Sequence, residues 1–169
     1  LLMVGIVDYK AGNLTSVARA LQYLSVPCEV TDDPVLLGRC ERIVFPGVGA
    51  AGEAMAHLRQ TGMDRHLQDW MEGGVPILGI CLGTQVVLEA SEENQTSCLG
   101  LVGGTVRRFP AGMVDPSGKA LKIPHMGWNE VAFSRPHPVF AGIPQGGSFY
   151  FVHSYYPAPT DEDNIVGWA

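Results

Sequence analysis

The chain reads as an α/β protein: an open, mostly parallel twisted sheet with helices on both faces and antiparallel strands appended in the C-terminal half. Three observations predict this. Short apolar runs alternate with helix-period segments through residue 90, the rhythm of a sheet built from strand-helix units. Turn residues close those runs, notably Pro46-Gly47 and the pair Gly79 and Gly83. Beyond Ser91 the texture changes to extended segments between loops rich in Gly, Pro and Ser, which suits antiparallel strands better than further crossover units.

In chain order, residues 3–7 form a first strand ending at Asp8-Tyr9 and a turn around Gly12-Asn13. A helix follows, because Val17, Ala20, Leu21 and Leu24 recur at the spacing of one apolar stripe. Asn13 or Thr15 can cap it. Residues 28–31 are the second strand, and residues 42–45 the third, stopped by Pro46-Gly47. Helices cover roughly residues 51–59 and 64–72, with Gly62 between them. Residues 75–78 have the length and apolar content of a buried parallel strand, and residues 84–90 read as a helix. Extended segments are expected over 102–109, 123–133 and 148–156.

Composition narrows the function classes. At 169 residues the chain is expected to be a single domain, and 46% apolar against 17% charged residues excludes a disordered chain. The net charge of -6, without a Lys/Arg cluster, argues against a nucleic-acid surface. No apolar stretch approaches the ~20 residues that span a membrane. The four cysteines show no zinc or disulfide spacing, so a cytoplasmic setting is expected.

One of those cysteines stands apart. Gly79-Ile80-Cys81-Leu82-Gly83 lies between an apolar run and a helix-like segment. A Gly-x-nucleophile-x-Gly turn there forces its middle residue into a strained, exposed conformation, and the glycines remove the side chains that would clash. The side chain then meets a helix N-terminus, which favours negative charge. Cys28 alternates with Val26 and Val30 as a small buried residue would, and Cys40 and Cys98 carry no flanking signature.

In open α/β sheets, sites lie at the carboxyl ends of the strands, where Asp8-Tyr9, Pro46-Gly47-Val48-Gly49 and Cys81 all fall. The loop around Val48 and Gly49, with the amide of Leu82, can form an oxyanion hole, and reads equally as a tight turn. Gln85 follows Cys81 by one helical turn and can face the same pocket. His153, Ser154 and Tyr155 place polar groups together that can bind a substrate's ammonium and carboxylate, although His153 also suits a core position. His125 and His153 lie on extended segments within reach of the site, yet neither has an acid in an H-x-E or H-x-D pattern, so spacing identifies no base for Cys81.

Gly79-Ile80-Cys81-Leu82-Gly83-Thr84-Gln85 resembles the nucleophile motif of class I, triad-type glutamine amidotransferases. Residues 8–14, Pro46-Gly47-Val48-Gly49-Ala50, Pro124-His125-Met126-Gly127-Trp128-Asn129 and Phe151-Val152-His153-Ser154-Tyr155 narrow the resemblance to the glutaminase subunits of imidazole glycerol phosphate synthase, in histidine biosynthesis. The resemblance implies glutamine hydrolysis through a thioester on Cys81. Val48, Gly49 and Leu82 would form the oxyanion region, and Gln85, His153, Ser154 and Tyr155 the glutamine pocket. Ammonia would pass to a partner cyclase, a (β/α)₈ barrel, in a heterodimer with Asn13 and Trp128 at the interface. No cofactor or metal is implied.

Lys10 stands where that motif commonly has Gly, and Thr84 where Met is common. The family's base and acid come in a His-Pro-Glu motif, and no His-x-Glu occurs among these residues. The expectation is therefore a single amidotransferase domain lacking its C-terminal part, inactive as a glutaminase without that motif. The alternatives are a glutaminase subunit of another synthase, or a non-catalytic domain that kept the fold.

Overall fold

A computed structural model describes residues 3–10 and 13–169. Its first half is a parallel sheet of β1 (Val4–Val7), β2 (Cys28–Thr31), β3 (Arg42–Gly47) and β4 (Ile77–Cys81), in spatial order β2-β1-β3-β4. Helix α1 (Leu14–Tyr23) covers one face, packing Leu14, Val17, Ala18 and Leu21 on Val4, Ile6 and Val44. Helices α3 (Ala51–Thr61) and α4 (Met63–Glu72) cover the other, burying Met55, Leu58 and Leu67 against Val7, Ile43 and Phe45. This in-out alternation along β1 and β3 is what strands buried on both faces require. A short α2 (Pro34–Leu37), capped by Asp33 and buried at Leu37, joins β2 to β3.

Asn13 caps α1 by accepting the Ser16 amide at 3.2 Å; the Gly12 half of the turn expected there lies outside the described residues. The α1 stripe is displaced from expectation: Leu24 is 65% exposed and Ala20 is also outside, so Leu14 and Ala18 take their places. Gly62, with φ +74°, breaks α3 from α4 as expected.

Strand β3 continues through Pro46 rather than stopping before it. Pairing explains this. The Ile43 amide points toward β4, donating to Pro76 O at 2.9 Å, so by alternation the amide that Pro46 lacks would face β1. Pairing with β1 ends at Ile6–Val44, whereas pairing with β4 runs on through Pro46–Ile80 to Gly47–Cys81. Proline costs no ladder bond there.

The next two elements depart from expectation. Strand β4 is an edge strand: Ile77 packs on the core, but Leu78 and Ile80 are 48% and 40% exposed. The helix expected over 84–90 is only α5 (Leu82–Val86), and β5 (Leu88–Ser91) follows at once. The carbonyl of Val87 accepts from the amides of Leu101 and Val102, and Leu88 is buried at 2%. Tertiary pairing here outweighs a helix propensity already weakened by Val86 and Val87.

The C-terminal half carries antiparallel strands, which pair in sheets of their own. Strands β5, β6 (Thr96–Ser97), β7 (Val102–Arg108) and β11 (Tyr155–Pro159) form one sheet in the order β11-β7-β5-β6, with β5 and β7 parallel. Strand β8 (His125–Glu130) pairs with β10 (Ser148–His153), and β9 (Ala132–Phe133) with β12 (Gly167–Trp168). No helix among the described residues is long and apolar enough to cross a membrane.

Candidate active site

The turn from β4 into α5 puts Cys81 at φ +56°, ψ -117°, a conformation that side chains adopt at a cost of about 1–3 kcal/mol. Close approach explains the glycines around it. A Cβ on Gly83 would lie 1.8 Å from the Phe45 carbonyl oxygen, and one on Gly79 would lie 2.9 Å from the Thr84 amide nitrogen. The backbone packs so tightly against β3 that Cys81 is pushed outward. It is exposed, while Cys40 is buried and Cys28 and Cys98 are half-buried. Burial pushes the Cys40 and Cys98 thiols above their ordinary pKa.

Tyr9, at the end of β1, is buried beneath this turn with its ring against Phe45 at 5.1 Å. Among the described residues its hydroxyl has no hydrogen-bond partner, and a Cβ on Gly47 would lie 2.1 Å from it. Burial, with a smaller contribution from Cys81, drives its pKa upward, so the phenol stays neutral.

Cys81 opens onto a cavity of about 370 Å³. All eight residues expected to serve the chemistry line it: Val48, Gly49, Leu82 and Gln85 beside Cys81, and His153, Ser154 and Tyr155 opposite. Asn13 and Trp128 are not among its lining; both are exposed, Trp128 at 72%. A larger depression of about 680 Å³ around Phe133 and Phe140 includes none of these residues.

The carbonyl of Tyr155 ties the far wall together. It accepts from Nε2 of Gln85 at 3.3 Å and from Nδ1 of His153 at 2.8 Å. The other nitrogen of His153 lies 3.2 Å from Nδ1 of His125, its cross-strand partner in the β8–β10 ladder. Both ring nitrogens of His153 are thus engaged within the protein. The backbone and neighbours of that ring, rather than its nitrogens, face whatever the cavity holds.

Glu93 is a lining residue that sequence reasoning missed. It supplies the cavity's carboxylate, and its Oε2 also accepts the Ala51 amide at 2.7 Å, capping α3 where Ala50 has no capping side chain. Its position after β5 was hidden because that segment reads as helix in sequence.

Burial first, and the adjacent His153 ring second, hold the His125 pKa below the ordinary histidine value, with a hydrogen bond to the Asn129 side chain opposing both. The unfolded chain therefore takes up a proton near pH ~6.5 that the folded ring refuses until lower pH. This contribution makes stability fall as pH drops from about 6.5 toward the folded value. Urea midpoints at several pH values should show the acid limb flattened in His125→Phe relative to wild type; parallel limbs would refute the assignment.

Residues 5–168 match the family model described as glutamine amidotransferase class-I. Over 159 residues the chain is 49% identical to imidazole glycerol phosphate synthase subunit HisH of Nitratidesulfovibrio vulgaris (strain DSM 19637 / Miyazaki F), covering 94% of this chain and 75% of that protein. The HisH subunit of Methylococcus capsulatus is 50% identical over 167 residues, covering 96% and 76% of the two chains. That of Moorella thermoacetica is 48% identical over 165 residues, covering 97% and 75%.

Among solved structures, PurLQS from Thermotoga maritima superposes with a TM-score of 0.68 at 19% identity, covering 98% of this chain and 73% of that one. A glutamine amidotransferase from the same organism gives 0.57 at 17% identity, covering 92% and 61%. These structures share the fold. On the strength of the family model and the sequence relatives, the chain belongs to the class I glutamine amidotransferases and, within them, to the HisH subunits of imidazole glycerol phosphate synthase.

Proposed function

We propose that this chain is the glutaminase subunit of an imidazole glycerol phosphate synthase, hydrolysing glutamine at Cys81 and delivering ammonia to a partner cyclase in histidine biosynthesis. The observation that carries the reading is the strained, exposed Cys81 opening onto a cavity with one carboxylate and a ring of polar wall groups. Sulfur attacks the side-chain amide carbon of glutamine, giving a tetrahedral intermediate. Its oxyanion is stabilised by backbone amides of the Val48–Gly49 loop and of Leu82. Collapse breaks the C–N bond, and nitrogen leaves as ammonia after taking a proton. Water then cleaves the γ-glutamyl thioester, releasing glutamate and the thiol.

Glu93 meets the substrate's α-ammonium, and Gln85, Ser154 and Tyr155 shape the pocket around the rest of the amino acid. In the family the proton transfers belong to a His-Pro-Glu motif; the imidazole lining this cavity, that of His153, has both ring nitrogens engaged elsewhere. The partner, a (β/α)₈ barrel, contacts Asn13 and Trp128, in a cytoplasmic heterodimer. Supporting that placement, Trp128 and its cross-strand neighbour Tyr150 are 72% and 56% exposed and meet edge to face at 5.6 Å.

A glutamine-like electrophile tests the reading directly. Peptide mass mapping should find it on Cys81 and not on Cys28, Cys40 or Cys98, with labelling suppressed by free glutamine. Equal labelling of the other thiols, or no protection by glutamine, would sink the proposal.

A further inference from the structure

We propose that His125 is a positioning residue for glutamine binding: its Nδ1–H, donated to Nε2 of His153, fixes the cavity wall that carries Ser154 and Tyr155. The inference rests on the glutaminase reading of that cavity.

The direction of the hydrogen bonds follows from the acceptor at the end of the row. A carbonyl oxygen only accepts, so the 2.8 Å contact with Tyr155 O puts the proton of His153 on Nδ1. In the neutral ring Nε2 is then bare. The 3.2 Å contact between this nitrogen and Nδ1 of His125 therefore requires the proton to sit on His125. The row runs one way, from His125 to His153 to the carbonyl of Tyr155, where Gln85 joins at 3.3 Å. The lowered basicity of His125 keeps its ring in the neutral form this requires.

Backbone ladders hold the wall on either side of Ser154, through His153–His125 in one sheet and Tyr155–Arg108 in the other, and Ser154 itself pairs in neither. Ser154 is where the chain leaves β10, paired with β8, and enters β11, paired with β7. Its carbonyl accepts from the Phe109 amide at 3.1 Å, the bond that bridges the change of sheet. The Phe151 ring stacks on His125 at 5.2 Å, and Phe109 meets His125 and His153 edge-on at 6.3 and 5.2 Å. Apolar packing sets the planes of the rings, and the two histidine hydrogen bonds set where the wall stops. A row whose members pair with one another favours one conformation, whereas removing its first donor leaves a half-buried acceptor without its partner.

Two measurements decide the matter. Nitrogen-15 NMR of the histidine side chains near pH 8, where an ordinary imidazole is neutral, should find both rings protonated at Nδ1. A proton on Nε2 of His153 would overturn the proposal, and this readout needs no variant to fold. Glutamine affinity is then measured by calorimetry in the Cys81→Ala background, so that no turnover intrudes. His125→Phe keeps the stacking and loses the donor, and should weaken glutamine about tenfold, the effect of one net hydrogen bond. His125→Asn returns a donor near the Nδ1 position and should recover affinity to within about threefold. Unchanged affinity in a folded His125→Phe, or no recovery with Asn, would overturn the proposal. Correct tautomers in a chain that does not bind glutamine at all would instead overturn the glutaminase reading, and the positioning role with it.

Discussion

Cys81→Ala is expected to lower kcat for glutamine hydrolysis by on the order of 10⁴-fold or more in the whole protein assembled with its partner, with KM changed only a few-fold. A covalent nucleophile acts in the bond-making step, and losing it typically removes nearly all of the catalytic acceleration. In the proposed mechanism substrate recognition rests instead on Glu93 and the wall formed by Gln85, Ser154 and Tyr155, which line the same cavity and which this substitution leaves in place. Steady-state ammonia release decides the outcome, and activity within tenfold of wild type would remove Cys81 from the mechanism. The backbone supplies an independent check. Glycine tolerates φ +56°, ψ -117° far better than cysteine, so Cys81→Gly should be as inactive as alanine yet more stable than wild type by about 1 kcal/mol.

Gly83→Ala should damage the fold as well as the chemistry. The added methyl would sit 1.8 Å from the carbonyl oxygen of Phe45, a fully buried residue of the central strand β3. Backbone atoms there cannot yield as a flexible side chain would, so either β3 moves or α5 lifts, and with α5 goes the turn that holds Cys81. Overpacking of this kind costs roughly 1–3 kcal/mol, and here the upper end or beyond is expected. Gly100→Ala is the contrast: φ is +69°, but the added methyl meets nothing within 4 Å. Its cost should be near 1 kcal/mol, from backbone conformation alone. Urea unfolding of both variants separates the two causes, and equal losses would refute the steric account.

The nucleophile turn was readable from sequence because its requirements are local: two glycines, a strand before and a helix after, all within a few residues of Cys81. The flanking elements were less readable because distant partners decide them. Residues 88–91 carry a helix-compatible pattern but pair with β7 and β6. Once that segment is a strand, Glu93 turns toward the cavity, a consequence no local pattern carries. The reading of β4 as fully buried failed for a related reason. Its apolar content resembles a central strand, yet Leu78 and Ile80 lie on an uncovered face. His153 was expected in the glutamine pocket and lines the cavity, but the engagement of both its nitrogens depends on a cross-strand register 28 residues away in sequence.

The contact between Tyr9 and Gly47 bears on how this sequence can change over evolutionary time. The phenol oxygen occupies the space where any larger residue at position 47 would place its first carbon, and that oxygen has no hydrogen-bond partner among the described residues. The two positions are therefore not free to vary one at a time. Loss of the tyrosine hydroxyl removes the shortest of the clashes at 47, but the Gly83 amide nitrogen and Leu82 Cβ, each 2.9 Å from the added carbon, still have to give before a side chain fits there. Position 47 is thus tied to Tyr9 and to the start of α5 together, and substitutions at these places are expected to act non-additively.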